Sequence, residues 1–416
     1  MEKLGLLGKA AESAFEKAGM RPLEAIGLFI VLAFSAGIAF DGLFQQQDFL
    51  LPTYDNSMLH AGRARIVLET GHWAENELVF GGNTTSYHSP AYPVLVASVS
   101  LATGLNWVWA IKIIALILSV LLPLGIYLFA KEASGGNWIA GVASAFLALN
   151  SYNLMSWGTR TTPISLGVVL VVFLLYFVLK KMRVPALLCA LVLALDHQPS
   201  LLAAVLTLFI YAAAVTLFEA IGALKREPLS RALPKTISGM DWTANLAGLL
   251  AFGAYMLWHI RQTGLSCLNF HCLPQASAHE FGKSIDLVQY VAKFPQAPAA
   301  LGIFVAAFDG NIEKRARILL FSWLAATLIL VKNDAVFALF GGSGGVFTER
   351  FITYLDQAVA VFGGIAIGWI FSMLAGGWRS RQGEEPGIAH AMQGAKPAVF
   401  KTANPSSQSG RERHGK

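Results

Sequence analysis

The chain has 416 residues, of which 55% are hydrophobic and only 13% charged, with mean hydropathy +0.55. A soluble domain carries about 25% charged residues, so a water-soluble globular protein is excluded and an integral membrane protein is indicated. The net charge of +6 is read through where the basic residues fall along the chain, and it does not indicate a nucleic-acid partner.

In chain order, residues 1–22 form a cytoplasmic amphipathic segment, with Leu4, Leu7, Ala11 and Phe15 on one side. This segment is too charged for a cleavable signal peptide. Residues 23–375 form the membrane domain. Apolar runs predict about ten transmembrane helices: Leu23–Phe40, Trp107–Ala130, Trp138–Asn153, Ile164–Leu179, Val184–Leu195, Ser200–Phe218, Trp242–Ile260, Ala299–Phe308, Leu319–Val331 and Leu355–Leu374. The shorter runs borrow flanking residues. Tyr92–Leu105 is bounded by Pro90, Pro93 and Gly104 and reads as a helix at the membrane interface rather than a span. The tail, residues 376–416, is rich in Gly, Ser, Pro and charge and reads as a disordered cytoplasmic segment. The predicted fold class is therefore all-α, polytopic, with a long first outer loop containing juxtamembrane helices.

Sides follow from the basic residues. With the N-terminus cytoplasmic and sides alternating, most of the 31 Lys and Arg fall inside, including Lys131, Lys180, Lys181, Arg183, Lys225, Arg226, Lys314, Arg315 and Arg317. This predicts a multi-pass protein of the cell membrane with both termini cytoplasmic. Counting Tyr92–Leu105 as a span would put Lys131 and the Lys180–Arg183 cluster outside.

The outer loops then carry the candidate chemistry. The first, Asp41 to Asn106, is much longer than a connector needs to be. Within it, TYDNSMLHAGRARIVLETGHW reads as a polar helix with Asp55 at its N-cap and Gly71 at its stop. Asp55 is a candidate catalytic acid or base as well as a cap. His60 could face the same site, and Arg63 and Arg65 could meet a lipid phosphate or anchor the helix at the interface. SYHSPAYP, residues 86–93, brings His88 to the start of the interfacial helix. Arg160 sits at the tip of the short loop SWGTRTTP, and Asp196-His197 at a corner between spans, where ionisable residues are costly. Glu349 and Arg350 follow a glycine-rich stretch, GGSGG, in the last outer loop. Asn83-Thr84-Thr85 matches a glycosylation-acceptor pattern. Cys267 and Cys272 share one polar loop, leaving a disulfide or two free thiols open; with His271 and His279 they match no zinc spacing.

The order of these features resembles the GT-C superfamily of membrane glycosyltransferases, which includes protein mannosyltransferases, aminoarabinose transferases and oligosaccharyltransferase catalytic subunits. The matching features are the first span, an outer-loop acid (Asp55) with RARIVLETGHW after it, SYHSPAYPVLVASVSLATGL, the basic turn YLFAKEASG, SWGTRTTPISLG and ALDHQPS. The resemblance covers residues 22–220 and the C-terminal half in outline. It implies transfer of a sugar from a polyprenyl-phosphate-linked donor to a glycolipid or protein acceptor at the outer face. Asp55 would be the general base or a metal ligand, and Arg160 and Arg350 would stabilise the leaving phosphate. His60, His88, Asp196, His197 and Glu349 would complete the substrate site. Ser156–Pro163 lacks the further acids that oligosaccharyltransferases use to hold a divalent metal. A metal-independent monosaccharide transferase is therefore favoured, and a divalent metal is left open. The alternatives are a transporter or flippase of lipid-linked or polar substrates, and a non-catalytic membrane scaffold.

Overall fold

The computed structural model describes residues 21–45, 57–73, 89–158, 160–225, 236, 239–263, 291, 293–335 and 348–381. Among these, every long element is a helix: α1 Pro22–Phe40, α2 Ser57–Thr70, α3 Ala91–Thr103, α4 Trp107–Ala133, α5 Trp138–Leu149, α6 Tyr152–Gly158, α7 Pro163–Leu179, α8 Arg183–Ala194, α9 Gln198–Leu224, α10 Trp242–Thr263, α11 Lys293–Phe308, α12 Lys314–Val331 and α13 Thr348–Arg381. Asp55, His88, Cys267, His271, Cys272 and His279 lie outside the described residues, as does the amphipathic N-terminal segment up to Met20.

The chain divides into two compact units, Met1–Ile370 and Phe371–Lys416. In the first, α4 and α7 form the centre. α7 is buried along nearly its whole length, with Val168, Val171, Val172, Leu174, Leu175 and Val178 all without exposed surface. α1 and α5 flank α4, while α8 and α9 both pack on α7, α10 packs on α8 and α9, and α12 packs on α9. Outward faces stay apolar, as Leu23, Phe29, Phe209 and Leu249 show. Apolar side chains on the outside of a packed bundle are what lipid contact requires. Of the second unit, the described part is the helix continuing from Phe371 to Arg381. The helix thus runs past residue 376, where the tail was expected to start, and residues 382–416 lie outside the described residues.

Four helices are long and apolar enough to cross a membrane: α1 with the π-turn Asp41–Gln45 that extends it, α4, α9 and α13 as far as Ala375. Others in the expected ten are shorter. α5 and α8 have 12 residues each, which at the α-helical rise extends about 18 Å. The expected run Trp138–Asn153 is broken. α5 stops at Leu149, where Asn150 and Ser151 close the turn, and α6 starts at Tyr152. In the other direction, α13 starts at Thr348, well before the expected Leu355.

Local chemistry explains several boundaries. The Asn106 side chain accepts from Val108 N at 3.0 Å, and Asn137 accepts from Ile139 N at 3.1 Å and Ala140 N at 3.2 Å, so α4 and α5 are both capped by asparagine. α2 ends at Gly71, whose φ of 77° is open to glycine; its N–H donates to Val67 O at 2.9 Å. The polar helix therefore stops where the sequence predicts.

Small residues let α13 approach its neighbours. A methyl group added at Gly302 of α11 would collide with the Phe362 backbone, and one at Gly364 or Gly368 would collide with Ser144 or Ala140 of α5. Ser144 Oγ in turn donates to Val361 O at 3.3 Å. Helices in lipid associate through such close small-residue surfaces because apolar area alone gives no preference between lipid and protein.

The basic turns meet at one end of the bundle. Lys131 pairs with the buried Glu24, which also accepts from Tyr127 Oη. Lys180 reaches Glu132 at 3.1 Å, Gly135 lies against Asn311, and Arg315 lies 3.8 Å from Asp241. Residues expected on the other side also meet one another: Ala91 N donates to Leu195 O at 2.8 Å, and Thr161 donates to Ser57 at 2.8 Å.

Candidate active site

The site is built around the first turns of α7 and the corner before α9. Asp196 is 3% exposed, and neither carboxyl oxygen has a hydrogen-bond partner. It lies over Gly167 of α7, where an added methyl would come within 3.3 Å of Asp196 Oδ2 and would overlap Ser200. A glycine at this turn leaves room for the corner to close on α7. Burial holds the Asp196 carboxyl well above the ordinary carboxylate range.

His197 occupies the N-cap position of α9. Its Nδ1 is 2.8 Å from Ser200 Oγ, and Ser200 Oγ is hydrogen-bonded to Tyr354 Oη of α13. Burial and then the positive charge of Arg350 keep His197 well below its ordinary range, so at neutral pH the imidazole is uncharged. Tyr92 of α3 is fully buried. Its hydroxyl faces Ser165 without reaching hydrogen-bond geometry. Burial, reinforced by Asp196, raises its pKa. The His60 ring meets the Tyr92 ring edge-on at 6.4 Å between centroids. His60 and Arg63, three positions apart on α2 and so on one face, are both buried at 6% and 3% exposed.

Six elements thus bring His60, Arg63, Tyr92, Ser165, Asp196, His197, Ser200, Tyr354 and Arg350 into one polar region inside an apolar bundle. Of the expected site residues, His60, Asp196, His197 and Arg350 converge here. Arg160 lies beside it. Its guanidinium donates to Ser156 O at 3.1 Å, and the next residue, Thr161, bonds to Ser57 at the start of α2. Glu349 and Arg350 are not in a loop, as expected, but in the first turn of α13, where Glu349 is exposed and Arg350 half-buried. The helix takes them in because the apolar face carried by Phe351, Ile352 and Leu355, all 2% exposed, already starts there. The two arginines of α2 separate: Arg63 is buried, whereas Arg65 forms a 2.7 Å pair with Glu69 on the surface.

Sequence reasoning did not select Tyr92, Ser200, Tyr354 or the pair Asp356-Gln357. Asp356 is 1% exposed and Gln357 fully buried. Gln357 Nε2 donates to Val168 O at 2.8 Å, while its Oε1 and Thr353 Oγ1 have no hydrogen-bond partner. An acid and an amide inside the apolar run TYLDQAVAVF were the available signal.

Among the described residues no group of three His, Cys, Asp or Glu side chains is placed to hold a metal ion. Asp196 and His197 alone do not make a metal site.

These features define a polytopic, all-helical integral membrane protein with a buried polar site between the start of α7, the α8–α9 corner and the start of α13. No protein-family profile and no curated protein sequence matches the chain. Solved structures do match in fold. The oligosaccharyltransferase of Archaeoglobus fulgidus, tethered with an acceptor peptide containing the NVT sequon, has a TM-score of 0.53 at 15% identity, over 87% of this chain and 51% of that one. Its apo form gives 0.54 at 14% identity, over 88% and 52%. The same archaeal oligosaccharyltransferase, AglB, in complex with an inhibitory peptide and a dolichol-phosphate gives 0.52 at 14% identity, over 87% and 52%. The chain thus shares the fold of these archaeal oligosaccharyltransferase structures and spans about half their length.

Proposed function

We propose that the protein is an integral-membrane glycosyltransferase that transfers a sugar from a polyprenyl-phosphate-linked donor to a glycolipid or protein acceptor at the outer membrane face. The observation that carries this reading is the placement of Arg63 and Arg350 with Asp196 and His197 in one buried polar region. Both guanidinium groups keep their charge at any physiological pH, while burial works against charge on Asp196 and on His197. Such a site favours a group whose negative charge grows as it leaves, as a lipid phosphate does when the sugar–oxygen bond breaks. The likeness to a fold solved with both a dolichol-phosphate and an acceptor peptide supports the same substrate classes here.

In this reading Asp55, two residues before Ser57, is the general base that takes the proton of the acceptor hydroxyl. Arg63, Arg160 and Arg350 orient the phosphate, while His60 and His88 position the acceptor or the sugar. Should a divalent ion take part, its ligands include residues beyond the described set, Asp55 first among them. A second reading, transport of a polar lipid-linked substrate, is favoured by the buried acid Asp356 in a spanning helix. The test is sugar transfer by the purified protein in liposomes, supplied with polyprenyl-phosphate-linked donors. Asp55→Asn and Arg350→Met are expected to lower turnover by about a hundredfold or more. Undiminished transfer by a well-folded Asp55→Asn protein removes the base assignment. Donor flipping without transfer replaces the enzyme reading with the transport reading.

A further inference from the structure

The last spanning helix carries an acid that the proposed chemistry does not use. Asp356 Oδ2 accepts two hydrogen bonds, from Ser151 Oγ at 2.6 Å and from Asn153 Nδ2 at 3.0 Å. Both donors lie where the α5 segment breaks. Ser151 N bonds back to Ala148 O at 3.1 Å, and Ser151 Oγ accepts from Leu154 N at 3.2 Å, covering a free amide of the first turn of α6. The whole elbow between α5 and α6 is therefore fastened to one carboxylate of α13. A carboxylate in an apolar bundle is costly unless its hydrogen-bonding capacity is filled.

The elbow leads directly to the candidate site. α6 runs from Tyr152 to Gly158. The Arg160 side chain folds back onto it, with Nε to Ser156 O at 3.1 Å and a guanidinium nitrogen to Ser156 Oγ at 3.4 Å. Thr161 Oγ1 then donates to Ser57 Oγ at 2.8 Å, with both side chains buried. Two residues before Asp356 on the same helix, Tyr354 bonds to Ser200 and through it to His197. One segment of α13 thereby braces both loops that bring polar residues to the site.

We propose that Asp356 is a positioning residue: by holding the α5–α6 elbow to α13 it fixes where Arg160 lies against α6 and where Thr161 meets the start of α2. The consequence for catalysis rests on the function proposed above; the positional claim does not. Removing the carboxylate takes away the acceptor on α13 that Ser151 and Asn153 share, and α6 with Arg160 then shifts relative to Ser57. Displacements of about 1 Å at a reacting centre can cost on the order of a hundredfold in rate.

The test uses the full chain in native membranes, with Cys189, Cys267 and Cys272 replaced by alanine and Ser57→Cys and Thr161→Cys introduced. The rate of disulfide formation under a mild oxidant is read as loss of maleimide-reactive thiols. Asp356→Ala is expected to slow cross-linking by about tenfold, the loss of roughly one to two hydrogen bonds. Asn153→Ala, which removes one donor from the half-buried side of the elbow, is the fallback should Asp356→Ala fold poorly, and a severalfold slowing is expected. Asp356→Asn keeps an acceptor oxygen and is expected to restore most of the rate. Cross-linking at the unmodified rate in folded Asp356→Ala or Asn153→Ala protein overturns the proposal. In the transfer assay, Asp356→Ala is expected to lower kcat with donor KM nearly unchanged. Slowed cross-linking with full transfer activity upholds the positioning of the elbow and removes Arg160 from the proposed catalytic set.

Discussion

Replacing Asp196 by asparagine is expected to make the protein more stable at neutral pH and less active. Asp196 is buried, and neither of its oxygens has a hydrogen-bond partner. Burial raises its pKa well above the reference value of 3.8. The folded chain therefore keeps a proton that the unfolded chain has released. Above 3.8, every rise in pH works against the folded state until the folded carboxyl itself ionises. His197 acts in the opposite sense. Its pKa is depressed from 6.5, so the unfolded chain takes up a proton that the folded one refuses, and stability is lost as pH falls below 6.5. Comparing the two proteins at the same pH cancels the histidine and isolates the aspartate. Asparagine does not ionise and so removes this penalty, which grows by about 1.4 kcal/mol for each pH unit above the reference value until the folded carboxyl titrates, of the order of a few degrees in apparent Tm. The assay is thermal unfolding in detergent, followed by tryptophan fluorescence at pH 4, 6 and 8. The expected gain of Asp196→Asn is small at pH 4 and grows towards pH 8, while sugar transfer falls. A gain that does not depend on pH, or a loss of stability at pH 8, refutes the reasoning.

Two further changes test the packing. Gly302→Val places a branched side chain where the Phe362 backbone already lies; it is expected to cost about 3 kcal/mol or more and to lower the yield of monodisperse protein from detergent, whereas Gly253→Ala, at a site with open space around it, should leave that yield unchanged. The pair formed by buried Glu24 and half-buried Lys131 is expected to behave as a coupled unit. Lys131→Met alone should destabilise by about 3–5 kcal/mol because it strands a buried carboxylate, while Lys131→Met with Glu24→Gln should recover much of the loss, as measured by a double-mutant cycle on apparent Tm.

Much of the fold was legible because its signals are local. Apolar run length located α1, α4, α7 and α10 to within three residues at either end, and glycine at 71 marked the stop of α2. The basic turns were legible for the same reason: Lys131, Lys180 and Arg315 each sit at the end of an apolar run. Breaks inside apolar sequence were not legible. Asn150 and Ser151 are the one polar interruption of Trp138–Asn153 before its end, too short to divide the run on its own; the acceptor that holds Ser151 and Asn153 is Asp356, more than two hundred residues away. The start of α13 was hidden similarly, since Glu349 and Arg350 look like loop residues until Phe351 and Ile352 are seen to be buried.

The site was legible where a charge stands alone and illegible where a hydroxyl completes it. His60, Asp196 and His197 interrupt greasy or turn-like sequence, and each proved to be buried or half-buried in the polar region. Ser165, Ser200 and Tyr354 carry no such mark, because serine and tyrosine are ordinary in membrane helices, where they bond to neighbouring helices. What selects them is three-dimensional: Ser200 lies between His197 of its own helix and Tyr354 of another. Physical cost provides the remaining guide. Five buried polar atoms on Tyr92, Asp196, Thr353 and Gln357 have no hydrogen-bond partner, although such atoms are normally satisfied. A bundle maintained only for stability would replace them with apolar groups of similar size at little loss. Their joint presence around the start of α7 and along α13 therefore argues that this polar region serves function at the expense of stability, which the opposite effects expected of Asp196→Asn on Tm and on transfer put to direct measurement.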